Sequence, residues 1–253
     1  ATVTLNAPER RNPVTGNDMI AALLDTFAKV QADPEVSVMI LTGAGTAFCA
    51  GGDIKEMHDP ESIFRKEPLA AAQSYVDGVQ RLPQALYNLD IPTIAAVNGP
   101  SYGAGCDTTC LCDIRIASTR AIFAENFVRV GLISGDGGAW LLPRQIGLSR
   151  AAEMTFTGEP VDAATALDWG LVSKVTEPDD LLPEARKLAE RIAYNPPRQL
   201  RLAKRLLREG LNTRLDTVLE LAAAYQGVCH QTEDHAEAVE ALLEKRPADF
   251  TGR

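Results

Sequence analysis

Phe48-Cys49-Ala50-Gly51-Gly52-Asp53-Ile54-Lys55 is the first of two glycine-rich segments that decide how this chain folds. The second is Asn98-Gly99-Pro100-Ser101-Tyr102-Gly103-Ala104-Gly105-Cys106-Asp107. Each follows an apolar run that predicts a buried strand, Val36 to Leu41 before the first and Thr93 to Val97 before the second. A glycine-rich turn at a strand's end leaves backbone N–H groups free to point at a ligand. Two such turns side by side are suited to holding one oxyanion.

Short apolar strands alternate with helical stretches up to Pro178, and this alternation predicts an α/β fold. Helical apolar spacing covers Asn17 to Ala32 and Leu69 to Asn88. The predicted strands are Val3 to Leu5, Val36 to Leu41, Thr93 to Val97, Ile114 to Ala117 and Leu171 to Val175.

Beyond Pro178 the pattern is helical. Apolar residues recur at i, i+3, i+4 and i+7 from Ala185 and again from Leu215. Thr213 and Thr232 are predicted N-caps of the last two helices, because threonine hydroxyls accept hydrogen bonds from first-turn N–H groups.

The Asn195-Pro196-Pro197 break bars a continuous helix, since proline neither donates a backbone hydrogen bond nor permits a helical residue before it. We therefore predict a core over residues 1–195 and a helical region over residues 196–253. Apolar helix faces that follow a complete α/β body predict packing against another subunit.

The composition is that of an ordinary globular protein, with 45% hydrophobic and 23% charged residues in 253. No apolar stretch is long enough to cross a membrane, and no basic-then-apolar leader precedes Val3. The net charge of −9, with no basic run, argues against nucleic-acid binding. We expect neither a membrane nor a nucleic acid among the partners.

The five cysteines form no paired CxxC set, and Cys106, Cys110 and Cys112 lie among apolar neighbours. This usage suits buried thiols in a reducing compartment, so we expect a cytoplasmic protein. The three histidines are scattered along the chain, and we expect no metal site.

The two glycine-rich segments, together with Cys112-Asp113-Ile114-Arg115 and Gly137-Gly138-Ala139-Trp140-Leu141-Leu142-Pro143-Arg144, closely resemble the enoyl-CoA hydratase/isomerase (crotonase) family over essentially the whole chain. The resemblance implies a spiral of ββα turns followed by a helical C-terminal section. It also implies an acyl-CoA thioester as substrate, no further cofactor, a role such as fatty acid metabolism, and assembly into a homotrimer or a dimer of trimers.

By the same resemblance, the backbone N–H groups of Gly52 and Ala104 donate to the thioester carbonyl. Enolate or β-addition chemistry pushes charge onto that oxygen, and preorganised donors stabilise it. The alternative is that these glycines serve only tight turns.

Contacts with CoA are implied for two parts of the chain. In the first loop, Ala50, Asp53, Ile54 and Lys55 would line the adenine pocket, and Arg10 or Arg11 would lie near the phosphates. From the C-terminal tail, Lys245 and Phe250 would approach the CoA part of the substrate. The alternative for any of the cations is a solvated surface charge.

The acid–base residues depart from the family pattern. Hydration uses two carboxyl groups that together position water and deliver a proton. Hydratases of the family carry glutamates at both positions, whereas this chain carries Asp107 at the first and Phe127 at the second. A phenyl ring transfers no proton, and Asp107 has the alternative role of a helix-end carboxylate.

Two other carboxyl groups are candidate replacements. Asp136 lies in a glycine-rich loop one residue beyond the position of the catalytic acid in several relatives, with turn stabilisation as the alternative. Glu125 precedes Phe127 by two residues, so an extended Ala124 to Phe127 would point both side chains to one side. A surface salt bridge is the alternative for Glu125. Trp140 belongs to helix packing or to an acyl pocket.

One competent carboxylate is enough to shift a double bond, because a single base can remove a proton at one carbon and return it at another. The sequence therefore favours isomerisation over simple hydration. Hydrolysis of a thioester or of a β-diketone carbon–carbon bond is the alternative reaction. A non-catalytic acyl-CoA-binding protein is the alternative from another class.

Overall fold

A computed structural model describes all 253 residues of the chain. Five parallel strands form the main sheet in the order β1-β2-β3-β5-β8, and three short strands form a second sheet in the order β4-β6-β7. The strands are β1 Thr2–Leu5, β2 Met39–Gly43, β3 Thr93–Val97, β4 Ser101–Tyr102, β5 Ile114–Ser118, β6 Ile122–Ala124, β7 Val161–Asp162 and β8 Lys174–Thr176.

Twelve α-helices surround the two sheets, and a π-helical turn over Tyr75–Val79 joins the third helix to the fourth. They are α1 Met19–Ala32, α2 Ile54–His58, α3 Pro68–Ser74, α4 Arg81–Tyr87, α5 Ala104–Leu111, α6 Gly138–Ile146, α7 Leu148–Thr157, α8 Ala163–Asp168, α9 Leu181–Ala193, α10 Pro197–Gly210, α11 Leu215–Cys229 and α12 Glu233–Glu244. None of these helices combines the length and apolar character needed to cross a bilayer.

The central strands β2 and β3 are buried on both faces of the main sheet, which explains why they are nearly continuous apolar runs, whereas the edge strand β1 alternates exposed and buried residues. In β3, Ala95 and Val97 face the larger core, while Ile94 and Ala96 face the opposite layer. That second layer is closed by α9, whose Leu181 and Ala185 pack there. The α/β prediction is confirmed.

Several predicted boundaries are confirmed and others shift. The strand predicted over Thr93 to Val97 has those bounds, whereas the one predicted from Val36 begins only at Met39. The Thr232 cap is confirmed, because its hydroxyl accepts from the N–H of His235. The Thr213 cap is wrong, because its hydroxyl donates back to the Glu209 carbonyl at 2.8 Å and so completes α10.

The helix α10 is fastened to the amino edge of the main sheet. Lys204 is buried. Its Nζ donates to the Ile91 carbonyl before β3 at 2.6 Å and forms an ion pair with Asp113 before β5 at 2.7 Å. Burial lowers the pKa of Lys204, against the opposing charge of Asp113. Arg205 and Arg208 add ion pairs to Asp90 and Asp113 at this edge. The chain beyond residue 196 thus begins with a helix bound to the body.

The two helices after α10 leave their apolar side chains largely uncovered. The α11 helix buries no residue, and α12 buries only Asp234 and Ala241. The exposed large apolar side chains of these helices are Leu215, Leu219, Val228, Val239, Leu242 and Leu243.

Candidate active site

The two glycine-rich turns lie against each other at the carboxyl edge of the main sheet, where β2 and β3 are neighbours. Cys49 and Ser101 form an isolated parallel bridge, and the N–H of Tyr102 donates to the Cys49 carbonyl at 3.0 Å. Gly105 faces the Cys49 carbonyl so closely that any Cβ on Gly105 would overlap it. The turns therefore approach through backbone alone.

The amides of Gly52 and Ala104 lie at the two turns and are the candidate oxyanion donors. Gly52 lies outside every helix and strand, and its N–H makes no hydrogen bond. Ala104 is the first residue of α5, where an N–H has no acceptor within its own helix. The left-handed φ of +88° at Gly51 and of +50° at Gly103 turns the chain before each amide. A helix N-terminus also favours negative charge beside Ala104.

Asn12 holds the first turn in shape, and sequence reasoning missed it. The side chain is fully buried, and its amide donates to the carbonyls of Ala44, Ala47 and Phe48 at 2.9 to 3.2 Å. Its φ of +56° is a conformation that asparagine tolerates better than most residues. The only sign of it in the sequence is the Asn12-Pro13 pair in the segment before α1.

Asp107 is fully buried one turn into α5, and Ser134 holds its carboxyl group. The Ser134 hydroxyl donates to Oδ2 of Asp107 at 2.8 Å and accepts from the N–H of Gly138 at 2.9 Å. Oδ1 of Asp107 has no partner. Burial raises the pKa of Asp107, opposed by these hydrogen bonds. Ser134 was not predicted, because nothing in its local sequence marks it.

Glu125 lies within hydrogen-bond reach of Asp107, so the site holds a pair of carboxyl groups. Burial, followed by the charge of Asp107, raises the pKa of Glu125 well above its usual range. The contact with Glu125 in turn lowers the pKa of Asp107, against the effect of burial. The surface salt-bridge alternative is wrong, because Glu125 is buried and makes no ion pair with a base.

The extended conformation expected for Ala124 to Phe127 is also wrong. The strand β6 ends at Ala124, and a 3-10 turn over Asn126–Val130 follows directly. Glu125 reaches Asp107 because the N–H of Gly103 donates to the Ala124 carbonyl at 2.8 Å, which holds the end of β6 beside the start of α5. The Phe127 ring lies beside Gly103.

Asp136 is the third carboxyl group and stands apart from the pair. It is only 7% exposed, and its Oδ1 has no partner. Burial, with a smaller contribution from the charge of Asp107, raises the pKa of Asp136 to about 7. Its loop is fixed by Gln80, whose side-chain amide donates to the Gly135 carbonyl at 3.1 Å, and by the Tyr75 ring beside Gly135.

Asp136 is the only charged residue that lines a cleft of about 390 Å³. This volume lies within the usual range for small-molecule sites. We call it the acyl cleft. Its lining residues are Gln80, Pro83, Gln84, Tyr87, Asn88, Leu111, Gly135, Asp136, Gly137, Trp140 and Leu141.

The first-loop residues predicted to contact CoA form one cluster. Asp53 caps α2 by accepting from the Lys55 N–H at 2.7 Å, and it forms an ion pair with Arg10. The Ala50 N–H donates to the Arg11 carbonyl at 2.9 Å. The Asp53 carboxylate is thus engaged in holding the loop, while Ile54 and Lys55 project from α2, with Ile54 58% exposed.

The two tail residues lie elsewhere in the chain. Lys245 ends α12 in a left-handed conformation, and the Phe250 ring packs edge to face on Tyr194 with centroids 6.3 Å apart. Asp234 anchors the tail by accepting from the N–H of Thr251 at 2.7 Å and from that of Gly252. The structure records no hydrogen bond or ion pair between the tail and the first-loop cluster within one chain.

The arrangement of the fold is shared with proteins of known structure. An enoyl-CoA hydratase from Bacillus anthracis superimposes with a TM-score of 0.91 at 33% identity, over 100% of this chain and 95% of that one. The fold is therefore the crotonase fold, as the sequence predicted. Residues 1–253 match the family model described as enoyl-CoA hydratase/isomerase. The chain belongs to this family, whose members are enzymes that act on CoA thioesters.

Curated relatives carry out more than one reaction. A crotonyl-CoA hydratase of Syntrophomonas wolfei is 36% identical over 100% of this chain and 95% of its own length. A 1,2-epoxyphenylacetyl-CoA isomerase of Escherichia coli is also 36% identical, with the same coverage. An (E)-benzylidenesuccinyl-CoA hydratase of Thauera aromatica is 37% identical over 100% of this chain and 95% of its own. Identity alone therefore does not separate hydration from isomerisation.

Replacement of Gly105 by alanine should disrupt the contact between the two turns. The new Cβ would overlap the Cys49 carbonyl, which is backbone and moves only with the whole turn. We expect a loss of about 1 to 3 kcal/mol in the free energy of unfolding, measured by chemical denaturation. Gly210→Ala is the matched control, since a Cβ there meets open space. An equal effect at both positions would contradict the proposed constraint.

Asp136→Asn should change the pH dependence of stability. A pKa near 7 in the folded chain, against about 3.8 unfolded, means that the folded state holds the proton more tightly. The wild-type protein should therefore lose stability relative to the variant as pH rises from about 4 to about 7, by about 4 kcal/mol at most. Melting temperatures of both proteins across this range measure the difference.

Glu237→Gln provides a control of opposite sign. The side chain of Arg246 lowers the pKa of Glu237 to about 2, so the stability from its ionised form is present above about 4.5 and lost as pH falls toward 2. The stability difference between Glu237→Gln and the wild-type protein should therefore stay nearly constant between about pH 4.5 and about pH 7, where that of Asp136→Asn changes. If the stability difference between the wild-type protein and Asp136→Asn does not change with pH, Asp136 ionises normally and the prediction is wrong.

Proposed function

We propose that the protein catalyses double-bond isomerisation of an enoyl-CoA thioester, with Asp136 as the base. The thioester carbonyl accepts hydrogen bonds from the amides of Gly52 and Ala104. The Asp136 carboxylate removes a proton from C2 of a 3-enoyl group, and the electron pair moves onto the carbonyl oxygen. The same carboxyl group returns the proton at C4, the oxyanion reverts to a carbonyl, and the double bond then joins C2 and C3. No water and no further cofactor are consumed.

The observation that carries this proposal is that Asp136 is the only charged residue lining the acyl cleft. Asp136 is alone, faces the acyl cleft and has a pKa near the working pH, which suits a group that both takes and gives a proton. Asp107 and Glu125 contact each other, so neither is a lone carboxyl group. Removal of a proton next to a carbonyl needs a donor set at the oxygen and one free base, and the site supplies both.

Hydration is the second candidate, and the Asp107–Glu125 contact favours it. Although Phe127 replaces the second hydratase glutamate, Glu125 brings a second carboxyl group to the site from two residues earlier. A carboxylate and a carboxylic acid in contact are the pair needed to position water and deliver a proton. The two candidates therefore use different carboxyl groups, which makes them separable by substitution.

The test is incubation with crotonyl-CoA and with a 3-enoyl-CoA in deuterated water, followed by mass spectrometry of the acyl products. Isomerisation gives a shifted double bond with deuterium at C2 or C4 and no hydroxyacyl product. We expect Asp136→Asn to lower this rate by about 10² to 10⁴, the usual contribution of a general base. Glu125→Gln, matched in size and polarity, should lower it by less than about tenfold.

The other outcomes identify the other functions. A hydroxyacyl product that is lost in Glu125→Gln and retained in Asp136→Asn would establish hydration. Release of free CoA, detected with a thiol reagent, would establish thioester hydrolysis. Tight binding of thioesters without turnover, unchanged in both variants, would establish a non-catalytic acyl-CoA-binding protein.

We also infer that α11 and α12 bind further copies of this chain in the cytoplasm, as a homotrimer or a dimer of trimers. Six large apolar side chains on these two helices are exposed in a single chain, and packing against further copies would remove them from water. The four buried thiols suit a reducing compartment. Sedimentation equilibrium should give three or six times the chain mass, and Leu242→Glu with Leu243→Glu should reduce it. A monomer would contradict the inference.

A further inference from the structure

Two aromatic rings form a wall between the acyl cleft and a second cavity. Tyr87 at the end of α4 and Trp140 in α6 meet edge to face, with centroids 5.5 Å apart and planes at 89°. Both residues line the acyl cleft, and both line a neighbouring cavity of about 480 Å³. Leu111 and Leu141 are also shared by the two linings. The aromatic pair and these leucines are thus a common boundary.

The second cavity lies between α10 and the body and is mostly apolar. Ile114, Ile192, Leu200, Ala203 and Leu207 contribute to its lining. Its volume and composition suit an alkyl chain more than a polar ligand. None of the three carboxyl groups of the candidate active site lines this second cavity.

Arginine side chains hold both rings from the side of the second cavity. The Arg144 guanidinium lies 4.0 Å from the Trp140 ring centroid and donates to the Trp140 carbonyl at 2.8 Å. The Arg208 guanidinium lies 4.3 Å from the Tyr87 centroid and pairs with Asp113 at 3.1 Å. Both arginines line the second cavity and neither lines the acyl cleft. Cation–π contacts of this kind fix the orientation of the rings.

The wall lies at a short distance from the candidate oxyanion site. Ala104 opens α5 and Leu111 ends it, so seven residues separate the oxyanion amide from the shared boundary. At 1.5 Å per residue this is about 10 Å along the helix axis. An acyl chain that starts at the carbonyl therefore meets the boundary after only a short extension.

We propose that Tyr87 and Trp140 limit the length of the acyl group, so that the native protein selects compact acyl-CoA thioesters. Removal of the indole joins the acyl cleft to the second cavity and admits a long alkyl chain. This inference rests on the proposed binding of the thioester at Gly52 and Ala104. It does not depend on which reaction follows.

The experiment compares the affinities of butyryl-, hexanoyl- and decanoyl-CoA for the intact protein and for Trp140→Ala by calorimetry. Saturated thioesters have no double bond to shift or hydrate, so binding is measured apart from the reaction. Each CH₂ newly buried should raise affinity about fourfold, which is about 0.8 kcal/mol. We expect the ratio of decanoyl to butyryl affinity to rise more than about tenfold in Trp140→Ala.

Two variants serve as controls. Trp140→Phe retains an aromatic ring at the wall and should keep the native ratio. Trp169→Phe changes the other tryptophan, which also has an arginine over its ring, Arg150 at 5.5 Å, but lines neither cavity. It too should keep the native ratio.

An unchanged ratio in a folded Trp140→Ala protein would overturn the inference. If that variant fails to fold, Tyr87→Ala opens the same wall from α4, and an unchanged ratio there has the same meaning. Failure of every thioester to bind the unaltered protein would instead overturn the proposed acyl-CoA site, and the wall's role with it. Normal binding of all three thioesters with an unchanged ratio leaves the proposed function intact.

Discussion

The close approach of two backbone turns is the constraint on which the rest of the site depends. Parallel pairing of β2 with β3 delivers both turns to one edge of the sheet, and the absence of a side chain at Gly105 lets α5 begin against the Cys49 carbonyl. The amides of Gly52 and Ala104 then belong to backbone whose course is set by these turns, and the Asn12 side chain holds the first turn in shape. The position of Asp107 follows, since it lies one helical turn further along α5.

Burial sets the roles of the acidic groups more than their identity does. Three carboxyl groups enclosed by apolar walls cannot all ionise together, because the low local dielectric penalises each added charge. Asp107 and Glu125 are close enough to affect each other: the charge of Asp107 raises the pKa of Glu125, and the contact with Glu125 lowers the pKa of Asp107. Asp136 has no such partner and stays close to the midpoint of its titration at neutral pH. Similar acidic groups thus titrate differently in different surroundings, and Asp136 is the one that the proposed isomerisation uses as its proton carrier.

The sequence predicts what is local and misses what depends on how elements meet. Strand β3 and the start of α5 follow from apolar runs and glycines that act within a few residues. The sequence makes Glu125 a candidate only if Ala124 to Phe127 is extended, which it is not, and Glu125 reaches the site because β6 ends beside Gly103. Ser134 was missed altogether, because its bond to Asp107 joins residues 27 apart that no short pattern links. The anchoring of α10 through Lys204 depends likewise on distant partners.

The carboxyl and amino ends of the strands in the main sheet contact different parts of the molecule. Loops at the carboxyl ends of the strands form the site, whereas α10 is bound at the amino ends through Lys204, Arg205 and Arg208. The length of the strands lies between them, and the central strand β3 is buried at every residue. Mutations that remodel the ligand end over evolutionary time can therefore accumulate without loosening the helices, and the helical surface can change its neighbours without disturbing the chemistry. Such independence allows one fold to support enzymes with different reactions.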